Sequence, residues 1–288
     1  MAFGVRSLSL AAIVVSMVIG MVGAIPSASS RDVVSFNPVG IKLNPLDDLL
    51  APLTARGMSN AQRLARGLPP NKPRFRRTDK QLGARTSPTP TTSVPSSSPT
   101  PACSPTTGAL RAVSTDADMP LDGYVNASPN PYGEFGYTTD QVAAMIVTVS
   151  PCGNGSPINV VSSNSVKSMP YLGGIEGFAD DSPDLEPREF NYMVLGGVTQ
   201  TSPHATPQNG ANSYTAATGN SKYIESAIWT IDDAGVLSAQ WVNTNGSLPA
   251  TILVYVPSAD SFALIGDVDA FEETFYQAPI STFSVVPV

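Results

Sequence analysis

The reactive side chains of this sequence are mostly carboxylates, and they gather in three clusters. These are Asp180, Asp181, Asp184, Glu186 and Glu189; Asp232 and Asp233; and Asp267, Asp269, Glu272 and Glu273. Two facing carboxyls, one held neutral and one ionised, are what cleavage of a glycosidic bond needs. Oxygen-rich loops also suit calcium. None of the clusters has the spacing of either site, and the EF-hand loop pattern is absent. Solvated turns on an acidic chain are the simpler account, so no catalytic residue and no metal ligand is assigned.

Other chemistries lack their parts. The one histidine, His204, stands in Ser-Pro-His-Ala-Thr-Pro, which reads as an exposed loop. A single histidine excludes a His-rich metal centre. It would serve a Ser-His-Asp triad only if placed beside a nucleophile, and no Gly-x-Ser-x-Gly elbow is present. Gly153-Asn-Gly155 lacks the Lys-Ser/Thr continuation of a phosphate-cradling loop. No cofactor is expected. The two cysteines, Cys103 and Cys152, have no histidine neighbours and make no zinc site. In an oxidising compartment they predict one disulfide, which would close a loop of about 50 residues and stabilise by about 4 kcal/mol in the chain-entropy account.

Aromatic rings offer another chemistry, because a ring face can stack on the apolar face of a sugar. The candidates are Trp229, Trp241 and Tyr192, with Tyr132 and Tyr214 behind them. This use requires exposed rings; the same residues would otherwise fill a core.

The elements that must hold these groups are short. β-branched and aromatic runs alternate with Gly, Pro, Asn and Asp from about residue 109 to 288. They predict strands over 158–161, 171–178, 190–198, 225–231, 236–243, 251–256, 262–265 and 280–286. Segment 140–149 begins helix-like and ends strand-like, and is assigned as strand. Residues 269–275 predict a short helical piece. Such spacing argues for an all-β antiparallel β-sandwich, jelly-roll-like. The clearest local unit is a hairpin around Asp232-Asp-Ala-Gly235, pairing Trp229 with Ala239 and putting Trp241 on the same face. Tyr171-Leu-Gly-Gly-Ile175 and Val194-Leu-Gly-Gly-Val198 echo one another, too briefly to establish a repeat.

Charge divides the chain. Residues 25–108 hold 11 Lys/Arg against 4 Asp/Glu, whereas residues 109–288 hold 4 against 19. Phosphate binding needs clustered basic side chains, so nucleic acid is not expected as a partner of the acidic part. Residues 1–24 have the order of a secretory signal peptide. Arg6 precedes an apolar run, and Val22-Gly23-Ala24 offers a cleavage site after Ala24. The run is about 15 residues, short of the roughly 20 that span a bilayer. The expectation is a secreted, extracellular protein with no membrane contact after signal cleavage. Residues 25–77 read as a basic, largely disordered pro-segment ending at the dibasic pair Arg76-Arg77. Residues 78–108 read as a stalk: of the 22 residues from 86 to 107, 13 are Ser or Thr and 6 are Pro, too polar to bury a core. Asn126, Asn154 and Asn245 begin Asn-x-Ser/Thr triplets, the glycosylation acceptors of secreted chains.

Met58-Ser-Asn-Ala-Gln-Arg-Leu-Ala-Arg-Gly-Leu-Pro-Pro70 resembles the arm of a group of secreted proteins of mushroom-forming (basidiomycete) fungi. The body resembles theirs at Tyr171-Leu-Gly-Gly, Glu225-Ser-Ala-Ile-Trp-Thr, Gln240-Trp-Val-Asn-Thr-Asn-Gly-Ser247 and Gly266-Asp-Val-Asp-Ala-Phe271. The resemblance implies a fungal extracellular origin and carries no assigned activity. The functional expectation is a non-catalytic β-sandwich that binds cell-wall polysaccharide through a row of exposed rings. The alternatives are a carboxylate-based glycan-active enzyme and a structural or host-interaction protein without a small ligand.

Overall fold

The computed structural model describes residues 34–46, 104–151, 155–275 and 277–288. Its strands are β1 (Thr106–Ser114), β2 (Leu121–Val125), β3 (Tyr137–Thr138), β4 (Ile146–Val149), β5 (Val160–Ser162), β6 (Tyr171–Glu176) and β7 (Tyr192–Val198). They continue with β8 (Gln208–Asn209), β9 (Tyr223–Glu225), β10 (Trp229–Ile231), β11 (Val236–Ala239), β12 (Ile252–Val256), β13 (Ser261–Ile265) and β14 (Thr282–Val286). Among the described residues two short helices, α1 (Ser213–Thr218) and α2 (Val268–Phe275), sit between strands. All 14 strands join one antiparallel sheet, whose main path runs β10-β11-β14-β1-β4-β5-β6-β7-β13-β12. The sheet curls over itself as a β-sandwich, so the expected all-β class holds.

Alternation along two strands explains the interior. β7 is buried at every position. Met193 and Leu195 enter one core, whereas Tyr192, Val194 and Val198 enter a second. In β13, Phe262 and Leu264 enter the first core, and Ala263 and Ile265 the second. Successive side chains of a strand point to opposite faces, so these two paired strands separate the cores. Trp229, Phe262 and Phe283 pack in the first, with centroids 6.1 Å apart for Trp229–Phe283 and 4.9 Å for Phe262–Phe283.

The hairpin pairs Trp229 with Ala239, as the sequence predicts. Asp232 makes its turn, accepting from the Ala234 and Val236 amides at 2.9 and 2.8 Å. The two glycine-bearing echoes, β6 and β7, are neighbours with Gly173 opposite Gly196.

Several expectations change. Segment 225–231 is two strands: β9 pairs with β6 and β10 with β11. Between them Ser226 is held sideways, its Oγ accepting from the Thr201 amide at 2.7 Å and its own amide donating to Thr201 Oγ1 at 2.9 Å. Segment 140–149 splits into a 3-10 turn at Gln141–Ala143 and the strand β4. The stalk boundary at residue 108 falls inside β1, where Thr107 Oγ1 lies 2.8 Å from Thr148 Oγ1 across the pair with β4. Residues 34–46, placed by the sequence in a largely disordered arm, pack on the body.

Candidate functional site

The place where residues 34–46 meet the body is built around Glu134. A turn from Asn130 to Glu134 presents this residue. Asn130 N donates to the Glu134 carbonyl at 2.7 Å, and Asn130 Oδ1 accepts from the Tyr132 and Glu134 amides at 2.9 and 3.1 Å. Gly133 is required in this turn. Its φ is 85°, and a Cβ there would collide with the Ser213 carbonyl. Ser213, at the start of α1, donates its hydroxyl to the Gly133 carbonyl and accepts from the Gly197 amide at 2.9 Å. α1 is itself held by Asn212, which accepts from the Thr215 amide at 2.7 Å, and ends at Gly219 in the left-handed conformation.

The Glu134 side chain is fully buried. Its Oε2 accepts from Asn130 Nδ2 at 2.9 Å and from Asn37 Nδ2 at 3.1 Å. Its Oε1 has no hydrogen bond of good geometry among the described residues. Burial pushes this carboxyl up to about 7, against the opposing pull of Asn130, Asn37 and a weaker contribution from Ser261. The nearby Asp260 charge pushes in the same direction as burial.

Beside Asn37, Phe36 fills the second core. Its ring stacks on Tyr192 at 4.3 Å between centroids and meets Phe275 and Phe271 edge-on at 5.7 and 6.3 Å. Tyr192 donates its hydroxyl to the Phe36 carbonyl, and Tyr132 donates to the Pro38 carbonyl at 3.2 Å. Asn44 closes the contact, its amide and side chain donating to Ala217 and Ala216 at 2.7 and 3.0 Å.

Two other acids, the buried Glu225 and the half-buried Asp180, serve the fold. Glu225 accepts from the Val242 amide at 3.2 Å, and burial raises its carboxyl to about 9. Asp180 accepts from the Gly177 and Tyr192 amides at 2.9 and 3.1 Å, and burial raises it well above the carboxylate range.

The three sugar-stacking candidates are placed elsewhere than expected. Trp229, Trp241 and Tyr192 are all at 0% exposure. The indole N–H groups of Trp229 and Trp241 donate to the Leu172 and Pro183 carbonyls at 2.8 and 2.9 Å. With no accessible ring face, none of the three can stack on a sugar. Alternation places the two Trp on a common face but does not say which face is inside.

The acidic clusters mostly tie loops. Asp184 accepts from the Thr244 amide and hydroxyl at 2.6 and 2.7 Å. Backbone N–H groups of Ala270 and Arg188 hold the Asp267 carboxyl below its usual value. Three acids of the third cluster also line an open depression of about 850 Å³, where Asp269, Glu272, Glu273, Gln277 and Ser258 stand around Met119 and Pro257. Among the described residues, no three His, Cys, Asp or Glu side chains converge as metal ligands would.

Asn245 is exposed in a turn, its Oδ1 accepting from the Ser247 amide at 2.8 Å; Asn126 is half-buried and bridges Ala144. His204 is exposed, as the sequence predicts. Ala24, Arg76, Arg77, Cys103, Cys152 and Asn154 lie outside the described residues. Among the described residues, no helix is long and apolar enough to cross a membrane.

Sequence clustering missed Glu134 and Glu225, two acids that burial raises far above their ordinary value. A signal existed: each is a single acid among apolar or glycine neighbours, Tyr-Gly-Glu134-Phe-Gly and Tyr-Ile-Glu225-Ser-Ala-Ile-Trp.

Fold and site together define an all-β sandwich whose second core is finished by an N-terminal segment clamped on a buried acid. Compared with known proteins, the chain matches no family model, no curated protein and no solved structure at a significant level.

Proposed function

We propose that this is a secreted fungal protein that acts at or near a cell wall as a non-catalytic, polysaccharide-binding β-sandwich. The observation that carries the reading is the open depression along α2. Its carboxylates, amide and hydroxyl suit the hydroxyl groups of a neutral glycan, and Met119 and Pro257 supply an apolar surface. A volume of about 850 Å³ lies within the range of ligand pockets. The test is retention of the purified protein on insoluble chitin, glucan and cellulose. Retention on one of them, lost in an Asp269→Ala/Glu273→Ala variant, supports the reading. No retention on any of the three, or retention that survives the double substitution, defeats it.

A carboxylate-based glycan-active enzyme is the second reading, favoured by Glu134 alone. A carboxyl pushed up to about 7 is protonated in acid and can donate. Because Asn37 covers this group, the reading requires residues 34–46 to be displaced. Release of reducing ends by such a displaced form, abolished in Glu134→Gln, is its test; no release sinks it.

A further inference from the structure

The buried seat of Phe36 and Asn37 bears on what a cut in the chain would do. The contacts span long separations: 156 positions between Phe36 and Tyr192, 97 between Asn37 and Glu134, and 172 between Asn44 and Ala216. Each of these contacts joins residues 34–46 to residues beyond 130. Phe36 is only 8% exposed and meets three aromatic rings. Asn37 satisfies part of a carboxyl that has no access to water, and a buried polar group that loses its partner is strongly disfavoured. Withdrawal of the segment would therefore open a hole in the second core and strip one of the two amide donors from Glu134.

We infer that residues 34–46 are a retained second chain in waiting: cleavage anywhere between residues 46 and 104 leaves the N-terminal fragment bound to the body. The body's seat for it is specific in chemistry. An aromatic cage takes a phenyl ring, a glutamic acid takes the following carboxamide, and the Ala216 and Ala217 carbonyls take an asparagine farther along. Both cysteines, Cys103 and Cys152, lie on the C-terminal side of a cut made before residue 103, so no disulfide tethers the fragment. Trimming at Arg76-Arg77 would then nick the protein without uncovering Glu134.

The experiment uses the full chain with a specific protease site inserted after Gly83. After complete cleavage, size-exclusion chromatography and native mass measurement report whether the two pieces travel together. Co-migration is the expected result. Phe36→Ala should weaken retention by at least about 100-fold, the loss expected for deleting a core phenyl group. Asn44→Ala, which leaves the core intact, should weaken it by about tenfold or less. Val39→Ala, at a side chain 84% exposed, should leave it unchanged. Separation of the fragment from the cut wild-type protein overturns the inference, whether the body stays folded or precipitates. Retention equally strong in Phe36→Ala also overturns it, because the seat described would not be what holds the fragment.

Discussion

Two glutamates, Glu134 and Glu225, are buried almost equally, at 0% and 1% exposure, yet burial shifts them differently. Glu134 rises to about 7 and Glu225 to about 9. The difference lies in their donors. Two side-chain amides reach Glu134 Oε2, and Ser261 adds a weaker contribution; Glu225 is supported by one backbone amide, that of Val242. Hydrogen bonds to a carboxylate favour its charged form and offset desolvation. The donors also differ in origin. Glu225 is supported from within the body, whereas one of the Glu134 donors arrives on residue 37. One acid is thus supported wholly by the sandwich, and the other takes one of its donors from the N-terminal segment.

The largest expected effect on this comparison comes from removing the anchor of the seated segment. Phe36→Ala should cost about 3–5 kcal/mol in denaturant unfolding, the range for deleting a buried phenyl group. A loss below about 1 kcal/mol would mean that the second core is complete without the segment.

The dependence on pH tests the two acids themselves. Both folded-state values lie above the ordinary carboxyl value of 4.5. At these two sites the folded chain therefore holds protons that the unfolded chain has released, and their contribution to stability is greatest in acid and falls as pH rises. Each group contributes a loss of about 1.4 kcal/mol per pH unit inside its window. The window runs from 4.5 to about 7 for Glu134, a loss of about 3 kcal/mol, and from 4.5 to about 9 for Glu225. Glu134→Gln should flatten the stability curve below pH 7 only, and Glu225→Gln should flatten it to pH 9. Curves that keep their slope in both variants would remove these acids as its source.

A smaller effect isolates the donor from the segment. Asn37→Ala should destabilise by about 1–2 kcal/mol at about pH 9, above the Glu134 value of about 7 where the carboxyl is ionised, and by less at about pH 4. An equal loss at both values would say that Asn37 acts by packing alone. The smallest is Arg111→Ala. Its partner Asp122 lies 2.7 Å away, but the two side chains are 42% and 74% exposed. An exposed pair of this kind contributes below about 1 kcal/mol, and a larger change on denaturation would contradict the idea that the interior, and not the surface charge, decides stability.

Much of the sheet was legible in the sequence because its signals are local. Asp232 and Gly235 mark one turn, and alternation around them gives the Trp229–Ala239 register. β1 was hidden because Thr106 and Thr107 continue the Ser/Thr/Pro composition of the preceding stretch. The break at Ser226 was hidden because Thr201, 25 positions away, causes it. The site was less legible still. Phe36-Asn37-Pro38 lies in a segment whose average charge and proline content argue against structure, and its partners begin 94 positions farther on, at Tyr132. Composition averages over a window, whereas the segment docks through a few particular groups: the Phe36 ring, the Asn37 and Asn44 side chains and the Phe36 and Pro38 carbonyls.

Hydrogen exchange across residues 34–46 tests most directly whether this segment belongs to the fold. The Asn44 amide, bonded to the Ala217 carbonyl at 2.7 Å, should exchange as slowly as the amides of α1, and its protection should vanish in Phe36→Ala. Exchange of the wild-type segment at the rate of a free peptide would contradict the account.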